Sequence, residues 1–277
     1  MLFMLPMEII PQNRRINASV KYFPELNMME VYKMPGEMIT GAGGGKRGQS
    51  KKSEETKDRY QKQSAIRAGT RIRELVLANN LRYLWTLTYG EEVTDRQQVA
   101  QDFKKFIKRL NYALGDKVKY VAVMEIQEKR AKRSGKNVLH LHMAVNRYID
   151  KVEVFELAWG HGYTFVSEHS EQILKVASYM AKYVKKGFND PRVRAGEKKR
   201  YFCSQGLVRP ERKAMYLTGE EIERVAVLAD VAVEYDGARW YQIQNVNEKG
   251  KEFVEHYFKE ETERSWRFFM NSGGLLK

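Results

Sequence analysis

The chain has 277 residues, which is enough for one substantial core with appended elements. Lys and Arg number 49 against 35 Asp and Glu. The resulting net charge of +14 favours a polyanionic partner such as nucleic acid, with a merely soluble basic surface as the alternative. A single cysteine excludes an intramolecular disulfide framework and a cysteine-rich zinc module, and it predicts a reducing, cytoplasmic location.

The N-terminal region carries scattered apolar residues and predicts short extended pieces, with a strand near Ser19 to Phe23. Its apolar start is too short to span a bilayer, so we expect neither an export signal nor a membrane helix. Residues 41–52 are glycine-rich and then basic, as in a flexible linker or surface loop. The phosphate-binding loop of ATPases needs a glycine and a hydroxyl residue where this chain has Thr40 and Arg47. The sequence therefore predicts no ATP binding and no attached helicase.

The middle of the chain alternates between helical and extended patterns. Apolar residues at helical spacing predict helices, and runs of β-branched and aromatic residues that end in turn residues predict strands. The predicted elements are a basic helix at 54–80, a strand at 83–89, a helix at 94–114, antiparallel strands at 118–127 and 138–148 joined by a polar turn at 129–136, a helix at 151–159, a strand at 162–167 and a helix at 171–186. This order predicts an α+β fold, a central antiparallel β-sheet flanked by helices with N- and C-terminal extensions.

Beyond residue 212 the same patterns predict a helix at 219–229, a strand at 239–246 and a helix at 252–269. We therefore expect three parts. They are an N-terminal arm and basic linker at 1–52, a main domain at 53–215 and a C-terminal α/β accessory lobe at 216–277.

Two of the five histidines stand together as His140-Leu141-His142 in a predicted strand. Side chains two residues apart project from the same face of a strand, so the two imidazoles converge while Leu141 packs on the other side. Two neutral imidazoles supply half of a metal site, although a purely structural role for such a pair stays open.

The hairpin suggests a third ligand for that metal. If the turn centres near residue 133, Glu125 lies roughly opposite the histidines, with Gln127 as the fallback, or Glu128 if the register slips. Two histidines and one oxygen donor leave open positions on Mg²⁺ or Mn²⁺, as a cation that polarises a bound phosphate requires. A closed zinc site would need a fourth protein ligand, and the sequence offers none.

A second pattern follows about forty residues later, on the predicted helix at 171–186. Residues three and four apart share one helix face, so Tyr179, Lys182, Tyr183 and Lys186 form a polar stripe. A phenol with its ordinary pKa of about 10 is a poor nucleophile, but an adjacent ammonium and a metal ion would stabilise the phenolate. We expect Lys182 to do this for Tyr179. Tyrosines that merely cap a core are the alternative.

At these residues the sequence resembles the HUH endonucleases, named for His-hydrophobic-His, and among them the two-tyrosine rolling-circle replication initiators of phages and plasmids. The resemblance covers residues 82–210. The matching pieces occur in the order of that group and are the strand at 84–89, the His-Leu-His strand, the tract at 159–162, the helix at 177–186 with its Tyr-x-x-Lys-Tyr form, and the tract at 200–207.

The resemblance implies a sheet of RNA-recognition-motif type and a function. His140 and His142 would bind the divalent ion, and Tyr179 would attack the scissile phosphate to leave a 5′-phosphotyrosyl link and a free 3′-hydroxyl. Lys182 matches the lysine that follows the nucleophile, and Tyr183 matches the second tyrosine, which accepts the strand in the closing transfer. Such a link conserves phosphodiester energy, so rejoining needs no ATP, and a separate host helicase and polymerase are the expected partners.

Basic and aromatic residues around these motifs could contact single-stranded or origin DNA. Lysines and arginines would track phosphates, while Trp159, Tyr163, Tyr201 and Phe202 could stack on unpaired bases. The residues predicted to bind DNA are Lys129, Arg130, Lys132, Arg133, Lys136, Trp159, Lys186, Arg200 and Tyr201.

The leading prediction is thus a metal-dependent, strand-specific DNA nickase and ligase that initiates rolling-circle replication. A transposase or mobilisation protein with the same chemistry is one alternative. A non-catalytic nucleic-acid-binding protein is the other.

Overall fold

The structure is a computed structural model that describes residues 15–39, 54–149, 152–167, 172–190, 192 and 201–254. Contacts divide the chain into two compact units, one formed by residues 1–49 with 211–277 and the other by residues 50–210. Each unit contains an antiparallel sheet with five described strands, accompanied by helices. The predicted α+β class is therefore confirmed.

The described strands are, in chain order, β1 (Arg15–Phe23), β2 (Met28–Ile39), β3 (Tyr83–Tyr89), β4 (Tyr120–Ile126), β5 (Leu139–Val145), β6 (Gly162–Val166), β7 (Tyr201–Cys203), β8 (Glu211–Met215), β9 (Val231–Tyr235) and β10 (Ala238–Gln244). The described helices are α1 (Glu54–Ala78), α2 (Arg96–Leu114), α3 (Glu128–Ser134), α4 (Val152–Trp159), α5 (Ile173–Asn189), α6 (Gly219–Leu228), α7 (Val246–Lys249) and α8 (Lys251–Val254). Among them, none is long and apolar enough to cross a membrane.

Between residues 54 and 189 the predicted elements begin and end within three residues of the observed ones, and β3 coincides with its prediction. One prediction there is wrong: the polar turn at 129–136 is the short helix α3. Glu128 in its first turn and Lys132 and Arg133 in its last turn complement the helix dipole. The predicted helix at 252–269 begins with α8, and its remainder lies outside the described residues.

The first unit joins the two ends of the chain in one sheet, with the strand order β8-β1-β2-β10-β9. Asn17 fixes this arrangement from β1, because its amide accepts from the Leu217 N–H and donates to the Leu217 carbonyl, each at 2.8 Å. Thr218 and Glu221 then start α6 with a capping box. The predicted N-terminal strand is thus longer than expected, and β2, β8 and β9 were not predicted.

The second unit has the strand order β6-β3-β5-β4-β7 and helices on both faces. The apolar stripe of α2, formed by Val99, Phe103, Phe106 and Leu110, packs with α4 against one face of the sheet. Alternate residues of β3 and β5 join that core and include Trp85, Leu87, Leu141 and Met143. The intervening residues project to the opposite face, where α5 contacts β3, β4 and β5 and also packs on α1.

Strand β6 depends on a glycine at its first position. Gly162 has φ +148°, a backbone conformation that side chains rarely allow, and it pairs with Tyr89. A Cβ there would lie 2.4 Å from the Gly90 backbone nitrogen and 2.5 Å from the Thr88 carbonyl oxygen. Neither backbone atom can move without disturbing β3, so only glycine fits.

We predict that Gly162→Ala lowers the free energy of unfolding by more than about 3 kcal/mol, because backbone strain of about 1–3 kcal/mol adds to this overlap. Urea denaturation measures the effect. Gly115→Ala is the matched control, since Gly115 also has positive φ (65°) but would meet no atom within 4 Å. Equal losses in the two variants would show that the close approach of β6 to β3 is unimportant.

Candidate metal centre

Three polar side chains meet on the α5 face of the second sheet. In the antiparallel ladder of β4 and β5, Glu125 pairs with His140 and Val123 pairs with His142. Paired residues project from the same face, so Glu125 and both histidines converge, whereas Leu141 is buried in the opposite core. The register that the sequence suggested for Glu125 is the one observed.

The carboxylate of Glu125 lies between three nitrogen atoms. Its Oε2 is 3.0 Å from Nε2 of His140 and 3.0 Å from Nε2 of His142, and its Oε1 accepts a hydrogen bond of 2.6 Å from Nζ of Lys186. The cluster is largely closed to solvent, because the side chains of Glu125, His140 and His142 are 10%, 12% and 4% exposed.

This surrounding sets the protonation of the cluster. Burial opposes ionisation of Glu125, but hydrogen bonds from His140, His142 and Lys186 outweigh it and hold the pKa of the carboxyl well below its ordinary value. Burial lowers the pKa of His142, which keeps that imidazole neutral and available as a ligand near pH 7. The electrostatics therefore favour one carboxylate beside a neutral imidazole, the protonation that a metal site needs.

The donor atoms fit a divalent cation. One ligand atom from each of Glu125, His140 and His142 lies within 4.8 Å of the others, and within the described part of the chain this is the one such group of three. Ligands bound at roughly 2.1 Å and at right angles to each other lie about 3 Å apart, which matches the two spacings of 3.0 Å. These three residues could hold a metal ion, and nothing in the geometry identifies which one.

The two fallback ligands take other positions. Gln127 lines the adjoining cleft, and its buried Oε1 has no hydrogen-bond partner among the described residues. Glu128, at the start of α3, is 2.6 Å from the guanidinium of Arg192 and 3.8 Å from Nζ of Lys186. Glu125 therefore completes the group, and Glu128 belongs to a neighbouring ion-pair network.

Thr86 orients one of the imidazoles and was missed by the sequence reasoning. Its Oγ1 is 3.1 Å from Nδ1 of His142, so with Nδ1 protonated the ring presents an unprotonated Nε2 to Glu125 or to a metal. The signal was present in the sequence, because Thr86 and Thr88 are the polar members of an otherwise apolar and aromatic strand. Alternation places both on the site face, paired with His142 and His140.

Both tyrosines of α5 lie over the histidines. The ring of His142 is 5.2 Å from that of Tyr179 and 4.5 Å from that of Tyr183, and the two phenol rings are 4.4 Å apart. The opposite face of α5, with Val176, Ala177, Met180, Ala181 and Val184, is buried. The helix therefore presents both predicted tyrosines to the cluster.

The cation that reaches this site is Lys186, one turn beyond the expected residue. Lys182 is exposed, and no ion pair of the described residues includes it. Lys186 was assigned to DNA, but its hydrogen bond to Glu125 raises the pKa of the ammonium even though burial works in the other direction. Burial and a hydrogen bond with Tyr183 raise the pKa of the Tyr179 phenol, so the protein residues alone do not activate Tyr179.

A cleft of about 730 Å³ opens beside the cluster, a size common for ligand sites. Its lining combines the candidate ligands with Tyr183, Tyr163 and several cations. The lining residues are Thr88, Tyr89, Gly90, Glu125, Ile126, Gln127, Glu128, Lys129, Arg130, Arg133, His140, Tyr163, Tyr183 and Lys186.

The residues predicted to bind DNA divide into several groups. Four cations of the α3 region are exposed, namely Lys129, Lys132, Arg133 and Lys136, the last of which pairs with Glu92 at 2.9 Å. Arg130 instead donates to the carbonyls of Tyr89 and Gly90, which ties α3 to the end of β3. Tyr201 is partly exposed on β7, and Arg200 lies outside the described residues.

Trp159 does not fit its predicted role. Its side chain is fully buried beside Tyr89 and Phe106, and its indole N–H donates to the Thr88 carbonyl at 3.1 Å. A ring with no exposed face cannot stack on a base, so this assignment is corrected to a core residue. Burial of a tryptophan beside a glycine turn could not be judged from the local sequence.

The site therefore defines an α+β protein with a candidate metal centre and two tyrosines beside it. Residues 82–188 match a family of replication-associated proteins, the ORF2 family. The matched segment contains Glu125, both histidines and both tyrosines, and the match supports a replication initiator family. Comparison with curated proteins and with solved structures gives no significant match.

We predict that Mn²⁺ binds this cluster and that His142→Ala or Glu125→Ala weakens its binding by about 100-fold or more, because each removes a ligand. Isothermal titration calorimetry or electron paramagnetic resonance measures the dissociation constant. The control is His161→Ala, since His161 lies outside the group of three. Unchanged affinity in both ligand variants would exclude a metal centre here.

We also predict an acid-dependent contribution of Glu125 to stability in the metal-free protein. Since its folded pKa is below the ordinary 4.5, the unfolded state binds the proton more readily, and the stabilisation present above pH 4.5 is lost as pH falls. Between pH 4.5 and 2, Glu125→Gln should reduce the slope of unfolding free energy against pH by up to about 1.4 kcal/mol per unit. Glu156→Gln, at an exposed position of α4, is the control for urea melts at each pH. Identical slopes in the wild type and Glu125→Gln contradict the assignment.

Proposed function

We propose that this protein is a metal-dependent nuclease and strand transferase that nicks and rejoins single-stranded DNA at an origin and so initiates rolling-circle replication. The single observation that supports it most is the contact of both Tyr179 and Tyr183 with His142, a candidate metal ligand. The match to replication-associated proteins across the same residues supports replication as the setting, rather than transposition or mobilisation.

The proposed chemistry is a transesterification at phosphorus. The phenol of Tyr179 loses its proton, its oxygen bonds to the scissile phosphorus, and the bond from phosphorus to the 3′ oxygen breaks. The 3′ oxygen leaves with a proton, and the 5′ phosphate stays on the tyrosine. One phosphodiester replaces another, so a free 3′-hydroxyl can reverse the reaction without ATP.

The protein residues divide the work in this proposal. His140, His142 and Glu125 would hold a divalent ion, Mg²⁺ or Mn²⁺, which supplies positive charge that polarises the phosphate and favours the phenolate. Thr86 orients His142 through Nδ1, and Lys186 sits on the carboxylate of Glu125, within the same cleft as Tyr183. Lys186 rather than Lys182 is therefore the cation that we assign to the reacting phosphate.

Two adjacent phenols suit a reaction with two transfers. Tyr179 would hold the first cleaved strand, and Tyr183, whose ring is 4.4 Å away, would accept the strand in the closing step. Of the two, Tyr183 lines the cleft. The proposal leaves unwinding and synthesis to a separate helicase and polymerase.

The experiment is detection of a covalent adduct. Purified protein is incubated with end-labelled single-stranded origin DNA and Mn²⁺, and the products are resolved on a denaturing protein gel. We predict a shifted, labelled band that disappears, by at least about a thousandfold, in Tyr179→Phe/Tyr183→Phe, because no phenol remains to attack. Tyr112→Phe is the matched control, since Tyr112 is 89% exposed on α2.

Three outcomes are informative. An undiminished adduct in the double variant refutes the proposal. A wild type that binds origin DNA but yields no adduct with Mn²⁺ or Mg²⁺ favours the non-catalytic alternative. Loss of the adduct on chelation, with recovery when Mn²⁺ is restored, supports the role of the metal centre.

A further inference from the structure

We propose that Tyr163 and Phe165 form a stacking platform for unpaired bases, and that this aromatic platform holds single-stranded DNA beside the metal centre. The inference rests on the proposed function for its ligand, and it adds a binding site that neither the motifs nor the family match assigns. It is argued from sheet register, exposure and charge.

The register of the second sheet places the platform on the same face as the metal centre. Tyr163 pairs with Thr88, Thr88 pairs with His140, and His140 pairs with Glu125. Partners in an antiparallel ladder project to one side, so the four residues form one row across the sheet.

A second row runs parallel to the first. Phe165 pairs with Thr86, and Thr86 pairs with His142. Because Tyr163 and Phe165 are two residues apart on β6, their rings share that face and stand about 7 Å apart along the strand. Each aromatic ring is thus aligned with one of the two histidines.

The exposure of these rings is unusual within this unit. The side chains of Tyr163 and Phe165 are 74% and 65% exposed, whereas other large rings of the same sheet, such as Trp85 and Tyr89, are buried in the opposite core. Strand β6 is an edge strand in the described sheet, so the platform lies at its margin. Two neighbouring exposed aromatic rings on an ordered strand indicate a binding surface.

The space between the platform and the histidines is lined by small side chains. Thr86 and Thr88 on β3 separate β6 from β5, and two strand spacings amount to about 10 Å. A phosphate held near His140 can therefore have a neighbouring base over β6. Gly162, which only glycine can occupy, fixes the start of β6 against β3 and so sets the height of Tyr163.

Charge supports nucleic acid as the occupant. Tyr163 lines the same cleft as Lys129, Arg133 and Lys186, which offer cations to a phosphate backbone, and the chain as a whole carries +14. An aromatic ring can stack only on a base with a free face, so the ligand is a single strand rather than a duplex. A purely apolar partner would not require these cations.

The test measures binding without chemistry. All variants carry Tyr179→Phe/Tyr183→Phe and are studied in EDTA, and the probe is a fluorescein-labelled oligomer of twelve thymidines, read by anisotropy. We expect Tyr163→Ala and Phe165→Ala each to weaken binding by about 5- to 150-fold. Tyr112→Ala, which removes a more exposed ring from α2, should bind as the parent does.

Two further measurements separate stacking from charge and from misfolding. Tyr163→Trp and Phe165→Trp should restore affinity, because a larger ring also stacks. The alanine variants should keep the parent slope of log affinity against log salt, whereas Arg133→Ala should reduce that slope by about 0.7. An abasic oligomer should bind the parent and the platform variants equally.

The outcomes distinguish this inference from the proposed function. Parent affinity in both alanine variants, or equal binding of thymidine and abasic oligomers by the parent, overturns the platform even if the covalent adduct forms. Ring-dependent binding without any adduct would support the platform and refute the nicking activity. If sedimentation shows that the alanine variants abolish self-association instead of DNA binding, the face is a protein interface and the inference is wrong.

Discussion

The site depends on the register in which β4 pairs with β5. Glu125 pairs with His140, and this pairing brings a carboxylate between two imidazoles while Leu141 and Met143 fill the opposite core. A shift by one residue would turn every side chain of the strand to the other face, burying charge in the apolar layer and exposing the core. The core on one face of the sheet therefore secures the chemistry on the other.

Charge compensation connects this sheet to α5. A buried carboxylate is costly unless it is paired and hydrogen-bonded, and Lys186 reaches Glu125 from the same helix that carries the two tyrosines. Arg192 extends the connection by pairing with both Glu128 and Asp190. The ion pairs therefore hold the C-terminal part of α5 against β4 and α3, and with it the phenols over His142.

Local patterns anticipated much of the second unit. The strand at 83–89 and the pairing of Glu125 with His140 could be derived from side-chain alternation, and the helical stripe put Tyr179 and Tyr183 on one face. Features set by distant contacts could not be derived. Burial of Trp159 depends on packing against α2, and the sheet of the first unit depends on pairs such as Asn17 with Leu217, which are 200 residues apart.

The order of strands in the first sheet changes the meaning of its N-terminal residues. In the sequence β8-β1-β2-β10-β9, the two strands before residue 40 lie between one late strand and two others. Removing them would not trim a dispensable tail but would take out the interior of the sheet and leave β8 without its neighbour. The chain also passes between the two units twice, at residues 49–50 and 210–211, so one proteolytic cut at either junction leaves them covalently connected.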